Sequence, residues 1–100
     1  MSIPKNIFAE HIRQAIARID RDGVPANAHA STYDLVFEKN TYPPKLVLSW
    51  ANVYANGKEL DRTSFEGGKG TPCFQLFEDE GFTIRGKVKV LPDFTLYQRE

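Results

Sequence analysis

Tyr42-Pro43-Pro44-Lys45, running through Trp50 and Asn52 to Ser64-Phe65-Glu66-Gly67-Gly68, is the stretch whose reading decides the fold. A short strand ends in a double proline and launches an apolar helix. Neither proline can donate to a strand ladder, but one fits a helix start, where the N–H has no partner. Leu46, Val47, Trp50, Ala51, Val53 and Tyr54 follow, an apolar arc wide enough to predict a buried, central helix. Gly57 ends it. Lys58 to Gly70 reads as a polar linker with Leu60 and Phe65 as anchors into the core. Lys45, Ser49, Asn52, Arg62, Ser64 and Lys69 are interleaved with these core residues in a way that packing alone does not demand.

Toward the N-terminus, Pro4 suits a first helical turn with Ser2 as its cap. Phe8, Ile12, Ala15, Ile16 and Ile19 then recur at helical spacing, and Gly23 and Pro25 stop the helix. Ala26 to Thr32 reads as a loop. Tyr33, Leu35 and Phe37 alternate with polar neighbours as a half-buried strand, Lys39-Asn40 is the expected turn, and Thr41-Tyr42 the return strand. Toward the C-terminus, Thr71-Pro72 has the chemistry of a cap and a first turn before Phe74, Leu76 and Phe77. Gly81 fits a Schellman end, with Phe82 expected against Phe77. Phe82, Ile84, Val88 and Val90 alternate with Thr83, Arg85, Lys87 and Lys89 as a late strand, where Gly86 marks a bulge. The fold class is α+β: a small antiparallel sheet, made of the hairpin and the late strand, packed with three helices. Residues 1–90 form one domain and 91–100 a terminal strand or linker. The pattern does not fix the strand order.

Thirteen Lys and Arg balance thirteen Asp and Glu. A domain living by non-specific phosphate binding would be basic, so neutrality argues against a strong stand-alone DNA binder and leaves room for a local basic face. The lone cysteine, Cys73, has no internal disulfide partner and suits a reducing cytoplasm. No apolar run approaches the roughly 20 residues of a membrane span. Met1 to Lys5 lacks the apolar region of a signal peptide. A cytoplasmic protein with no membrane partner is expected.

No catalytic residue, metal site or cofactor is expected. His11, His29 and Cys73 lack ligand spacing, Cys73 has no motif-linked histidine, and Asp34 and Glu38 read as the solvated side of a hairpin. The Gly67-Gly68-Lys69-Gly70 loop is not a nucleotide-binding loop of the Walker type. It has two readings: glycines that let backbone N–H groups approach a phosphate ahead of Thr71, or a flexible linker between helices. Lys45, Ser49 and Asn52 recur at i, i+4 and i+7 on one helical face, either a polar groove wall or the exposed side of a packed helix. Tyr42 and Trp50 are either stacking platforms or core aromatics. Arg85, Lys87 and Lys89 form a second basic stripe. The candidate DNA-contacting set is Tyr42, Lys45, Ser49, Asn52, Arg62, Ser64, Gly67, Gly68, Lys69 and Thr71.

The spacing Tyr42-Pro43-x-Lys45, Ala51-Asn52, Leu60, Ser64-Phe65-x-Gly67-Gly68 and Gly81-Phe82-x-Ile84 resembles the N-terminal head domain of Mcr-type, modification-dependent restriction proteins. In such proteins the head precedes DNA-reading domains and an endonuclease or a nucleotide-hydrolysing motor. The resemblance implies a non-catalytic module that recognises or positions DNA, plain or modified, for phage defence. Its partners would be DNA and the other domains or subunits of a restriction protein. The alternative is a structural head that docks on those neighbouring domains or subunits, which neutral charge and many aromatics favour.

Overall fold

A computed structural model describes residues 3–26, 28, 32–68 and 70–86. Among them the chain forms α1 (Ala9–Asp22), β1 (Tyr33–Phe37), β2 (Asn40–Tyr42), α2 (Pro44–Asn56), α3 (Pro72–Asp79) and β3 (Thr83–Gly86). The three strands make an antiparallel sheet in the order β2-β1-β3, so the hairpin and the late strand do share one sheet, with β1 central. This is the expected small α+β architecture.

Helix α1 begins later than Pro4 suggests. Ile3 to Phe8 instead forms a segment that sends Ile7 into the core. The first N–H groups find partners that a local reading does not reveal. His11 Nδ1 accepts from the Phe8 N–H at 2.9 Å, and Glu80, far along the chain, accepts from the Ala9 N–H at 2.8 Å. Ser2 lies outside the described residues. From Ala9 onward the helical pattern holds: Ile12, Ala15, Ile16 and Ile19 are buried, and Gly23 ends the helix at φ 84°.

The hairpin turn also differs by one residue. Phe37 pairs with Asn40, so Glu38 and Lys39 make the turn, and Glu38 takes φ 56° where Asn40 was expected to. Burial dictates this register. Leu35 lies opposite Tyr42 on one side and Ile84 on the other, and Leu35 and Tyr42 are both buried. A slip by one residue would turn that row to solvent. Gly86 pairs with Tyr33 in unbroken register, so it marks no bulge. Lys87, Val88, Lys89, Val90 and residues 91–100 lie outside the described residues.

Helix α2 is the centre of the fold. Pro44 starts it, and Pro44 and every residue from Leu46 to Asn52 are buried. It packs along α1, and Gly57 closes it in the left-handed conformation, its N–H bonding to the Val53 carbonyl at 2.9 Å. Leu60 and Phe65 are buried anchors, as expected. At the end of α3, Phe82 N–H bonds to the Phe77 carbonyl and Gly81 N–H to that of Glu78, at 2.8 and 3.1 Å. Those two bonds define the Schellman motif foreseen at Gly81. Phe37 and Phe82 pack with centroids 5.8 Å apart, and Tyr33 meets Phe74 edge to face at 5.3 Å. These pairs tie the sheet to α3 and its exit.

Trp50, Phe65, Phe74, Phe77 and Phe82 all belong to the core. Trp50 carries the Arg18 guanidinium of α1 over its ring at 4.0 Å and is buried. Trp50→Ala is expected to destabilise the domain by about 3–5 kcal/mol, the usual cost of truncating a buried large aromatic. Urea denaturation followed by circular dichroism measures it, and a loss below about 1 kcal/mol would remove Trp50 from the core.

Candidate nucleic-acid interface

The structure divides the candidate residues into those spent on holding the fold and those that converge near one loop. Ser49 and Asn52 belong to the first group. Each is 1 % exposed, so they are neither a groove wall nor the open side of α2. Ser49 Oγ donates to the Leu60 carbonyl at 2.6 Å, and Asn52 Nδ2 donates to the Lys58 carbonyl at 2.8 Å. The linker does fold back onto this face, and in doing so it covers the stripe. Asn52 Oδ1 accepts from Asn56 Nδ2 at 2.6 Å, and Asn56 and Asn6 exchange reciprocal amide bonds at 2.7 and 3.0 Å. A chain of three asparagines thus links the linker, α2 and the N-terminal segment. Tyr42 is buried as well, and its hydroxyl donates to Asp20 at 2.8 Å, so its ring is a core aromatic and no stacking platform.

Lys45, Ser64, Gly67, Gly68 and Thr71 come together. Lys45 lies in the first turn of α2, and its methylenes run beside Gly67. A Cβ added to Gly67 would stand 3.2 Å from Lys45 Cγ and 3.3 Å from Phe74 Cε1, so close approach explains this glycine. The Lys45 ammonium lies 5.4 Å from the centre of the Phe65 ring. Gly68 and Gly70 adopt φ 144° and 80°, and the Thr71 hydroxyl donates back to the Gly68 carbonyl at 2.7 Å. Thr71 occupies the cap position of α3 but its hydroxyl, turned toward the Gly68 carbonyl, makes no cap bond. Arg62 is half-buried in the preceding turn, and Lys69 lies outside the described residues.

That preceding turn is built on Asp61. Its carboxylate accepts from the Thr63 N–H and hydroxyl at 2.9 and 2.7 Å, and its carbonyl accepts from the Ser64 hydroxyl at 2.6 Å. The Thr63 bonds, followed by the charges of Arg62 and Lys45, hold the Asp61 carboxyl below the usual carboxylate range. Ser64, Phe65, Glu66, Thr71 and Pro72 then line a cleft of about 580 Å³ together with Ile3 and Lys5 of the N-terminal segment. Lys5 was not singled out from the sequence. No local signal marks it, because only the path of the N-terminal segment brings it here. Lys5 and Lys45 are offset by Glu66 and Asp61, so the site has backbone and cationic donors but little net charge.

Over residues 5–86 the chain matches the family model of the ScoMcrA-like, N-terminal head domain. It belongs to that family. No curated protein and no solved structure matches it. The match covers every described helix and strand of the head domain, from Lys5 before α1 to Gly86 at the end of β3. Among the described residues, no three His, Cys, Asp or Glu are grouped to hold a metal ion, and no helix is long and apolar enough to cross a membrane.

Cys73 lies behind the loop on α3, fully buried, and burial pushes its thiol up to about 12 against the opposing charge of Lys45. The folded thiol therefore stays protonated where an unfolded one ionises. Stability from this group is intact below the ordinary value near 9.0 and is lost as pH rises from there toward 12. At pH 8 a thiol-reactive dye is expected to label Cys73 only on unfolding, and fast labelling of the native head domain would contradict its burial. Ser49→Ala leaves the buried Leu60 carbonyl short of a donor and is expected to cost about 1–3 kcal/mol. Denaturant titration measures it, and hydrogen exchange should quicken between Lys58 and Phe65.

Proposed function

We propose that this head domain is a non-catalytic DNA-recognition or DNA-positioning module of a modification-dependent restriction system. Family membership supplies the restriction context. The observation that carries the reading is the meeting of Lys45, the Gly67–Gly68 backbone and the Ser64–Thr71 cleft, with Lys5 across from them. Four separate parts of the chain supply that place: the N-terminal segment, the start of α2, the linker and the start of α3. Ammonium groups and backbone N–H groups suit phosphate oxygens, which fix a protein's register on a duplex without reading its sequence. Glu66 and Asp61 limit the attraction, so binding by the head alone is weak and salt-sensitive. Ser49, Asn52 and Tyr42 play no part in it.

A gel-shift series with plain and modified duplexes at low and high salt tests the reading. Binding to both duplexes is expected at low salt. Lys45→Gln keeps most of the aliphatic stem against Gly67 while removing the charge. It should weaken binding to all sequences alike and shallow the salt slope by about one unit. The same mixtures with magnesium or manganese should leave the DNA uncut. Absence of any shift at low salt would sink the DNA reading. The second reading, a head that docks on neighbouring domains or subunits, is favoured by one observation: Phe8 stands half-exposed on an apolar furrow.

A further inference from the structure

Where α1 begins and α3 ends, two local rules of helix construction are broken side by side. Phe8 occupies the cap position of α1, a place where Ser, Thr, Asp or Asn would stabilise the helix and a phenylalanine offers no acceptor. His11 supplies only the reciprocal half of a capping box, its Nδ1 accepting from the Phe8 N–H. The Phe8 ring is left 49 % exposed, leaning on the His11 ring at 6.0 Å. Beside it, α3 closes with Glu78, Asp79 and Glu80 and has no basic residue in its last turn. Carboxylates there face the negative end of the helix dipole. Glu80 is explained by the Ala9 N–H it accepts, at the positive end of α1. Among the described residues, the carboxylates of Glu78 and Asp79 take one bond, from Gln75 to Asp79. Places where local preference fails without a structural return are where function is found.

These residues border one furrow of about 330 Å³. Ile3, Phe8, Pro72 and Leu76 give it an apolar lining, Asp79 and Glu80 give it two carboxylates, and Lys5, shared with the Ser64–Thr71 cleft, gives it one ammonium. Glu78 continues the acidic edge into the adjoining cleft beside Phe74 and Ile84. We infer that the furrow docks a protein segment carrying an apolar side chain flanked by lysine or arginine, offered by a neighbouring domain or subunit. The apolar chain fills the furrow against Phe8 and Leu76, and the flanking cations pair with Glu78 and Asp79. This deepens the docking reading, on which it rests, and is independent of the DNA reading. The head domain then carries two adjoining sites, Lys45 with the glycine loop and the furrow beside Phe8, which meet at Ile3, Lys5 and Pro72.

The test uses the full chain and fluorescence anisotropy with a short labelled peptide that alternates lysine with leucine. Controls replace leucine by serine or lysine by glutamate. Only the lysine–leucine peptide is expected to bind at physiological salt. Phe8→Ser and Asp79→Lys, both at solvent-facing positions, should each weaken it about tenfold, a difference of about 1.4 kcal/mol. Lys45→Gln should leave peptide binding unchanged, and Phe8→Ser should leave the DNA gel shift unchanged, so failure of one reading is separable from failure of the other. Equal binding of the lysine–serine peptide, no binding of the lysine–leucine peptide, or indifference to both variants would overturn the assignment. So would sedimentation showing that the chain self-associates through this face and that Phe8→Ser abolishes it, which would give the furrow to a second copy.

Discussion

Helix α2 is enclosed over most of its length, and an enclosed helix cannot carry polar side chains unless each finds a partner. Ser49 and Asn52 are the two that must be satisfied, and each takes a carbonyl of the following linker. The consequence runs both ways. The helix loses its unpaired donors, and the linker from Lys58 onward is fastened to α2 at two points. Leu60 and Phe65 then enter the core from a backbone already held close. The Asp61 turn follows from that placement, and so does the delivery of Gly67 to the side of Lys45. Without the two internal bonds, only the Leu60 and Phe65 side chains and the Leu60 N–H bond to the Ser49 carbonyl would return the linker to α2.

The parts of this arrangement that were legible in the sequence are those set by neighbours in the chain. Period and caps gave the body of α1, the burial of α2, the Schellman end at Gly81 and the sheet membership of β3. What local pattern could not supply was set by contacts across the chain. Pro4 looked like a helix start because Glu80, seventy-one residues from Ala9, could not be seen as its capping partner. The turn residue was misplaced by one because the buried Leu35–Tyr42 pair, and not the preference of Asn for left-handed backbone, fixed the register. Ser49 and Asn52 were rightly placed on the face of Lys45. Their roles were inverted because i, i+4, i+7 spacing reports which residues share a face, not what covers it. Lys5 was silent for the same reason.

Two kinds of glycine meet in the loop, and they constrain it differently. Gly67 is placed by space, since a side chain there would crowd Lys45 and Phe74, whereas Gly68 and Gly70 are held by φ. The Thr71 hydroxyl closes the Gly68 turn from the other side. The loop between α2 and α3 is therefore long in sequence but already ordered where it faces Lys45. On the proposed reading that matters, because a preorganised backbone binds phosphate without an ordering cost at the moment of contact.

The charge balance limits what such a site can do alone. Lys5 and Lys45 face Glu66 and Asp61, and the whole chain is neutral. A few preorganised donors with no net field give orientation more readily than affinity. Affinity must then come from elsewhere, and a tethered module is the physical setting in which a weak site suffices. On the proposed reading, a head joined to a domain that already holds DNA would meet its own stretch of backbone at a high effective concentration, and a weak contact would become a useful one. The same reasoning demands that the head be held at a definite angle to its neighbour, since avidity is lost when geometry forbids both contacts at once. A positioning module thus needs a second surface of opposite character to the first, one that DNA avoids and protein accepts. On that reading the furrow of Phe8 and Leu76, bordered by Asp79 and Glu80, is the surface proposed for the role.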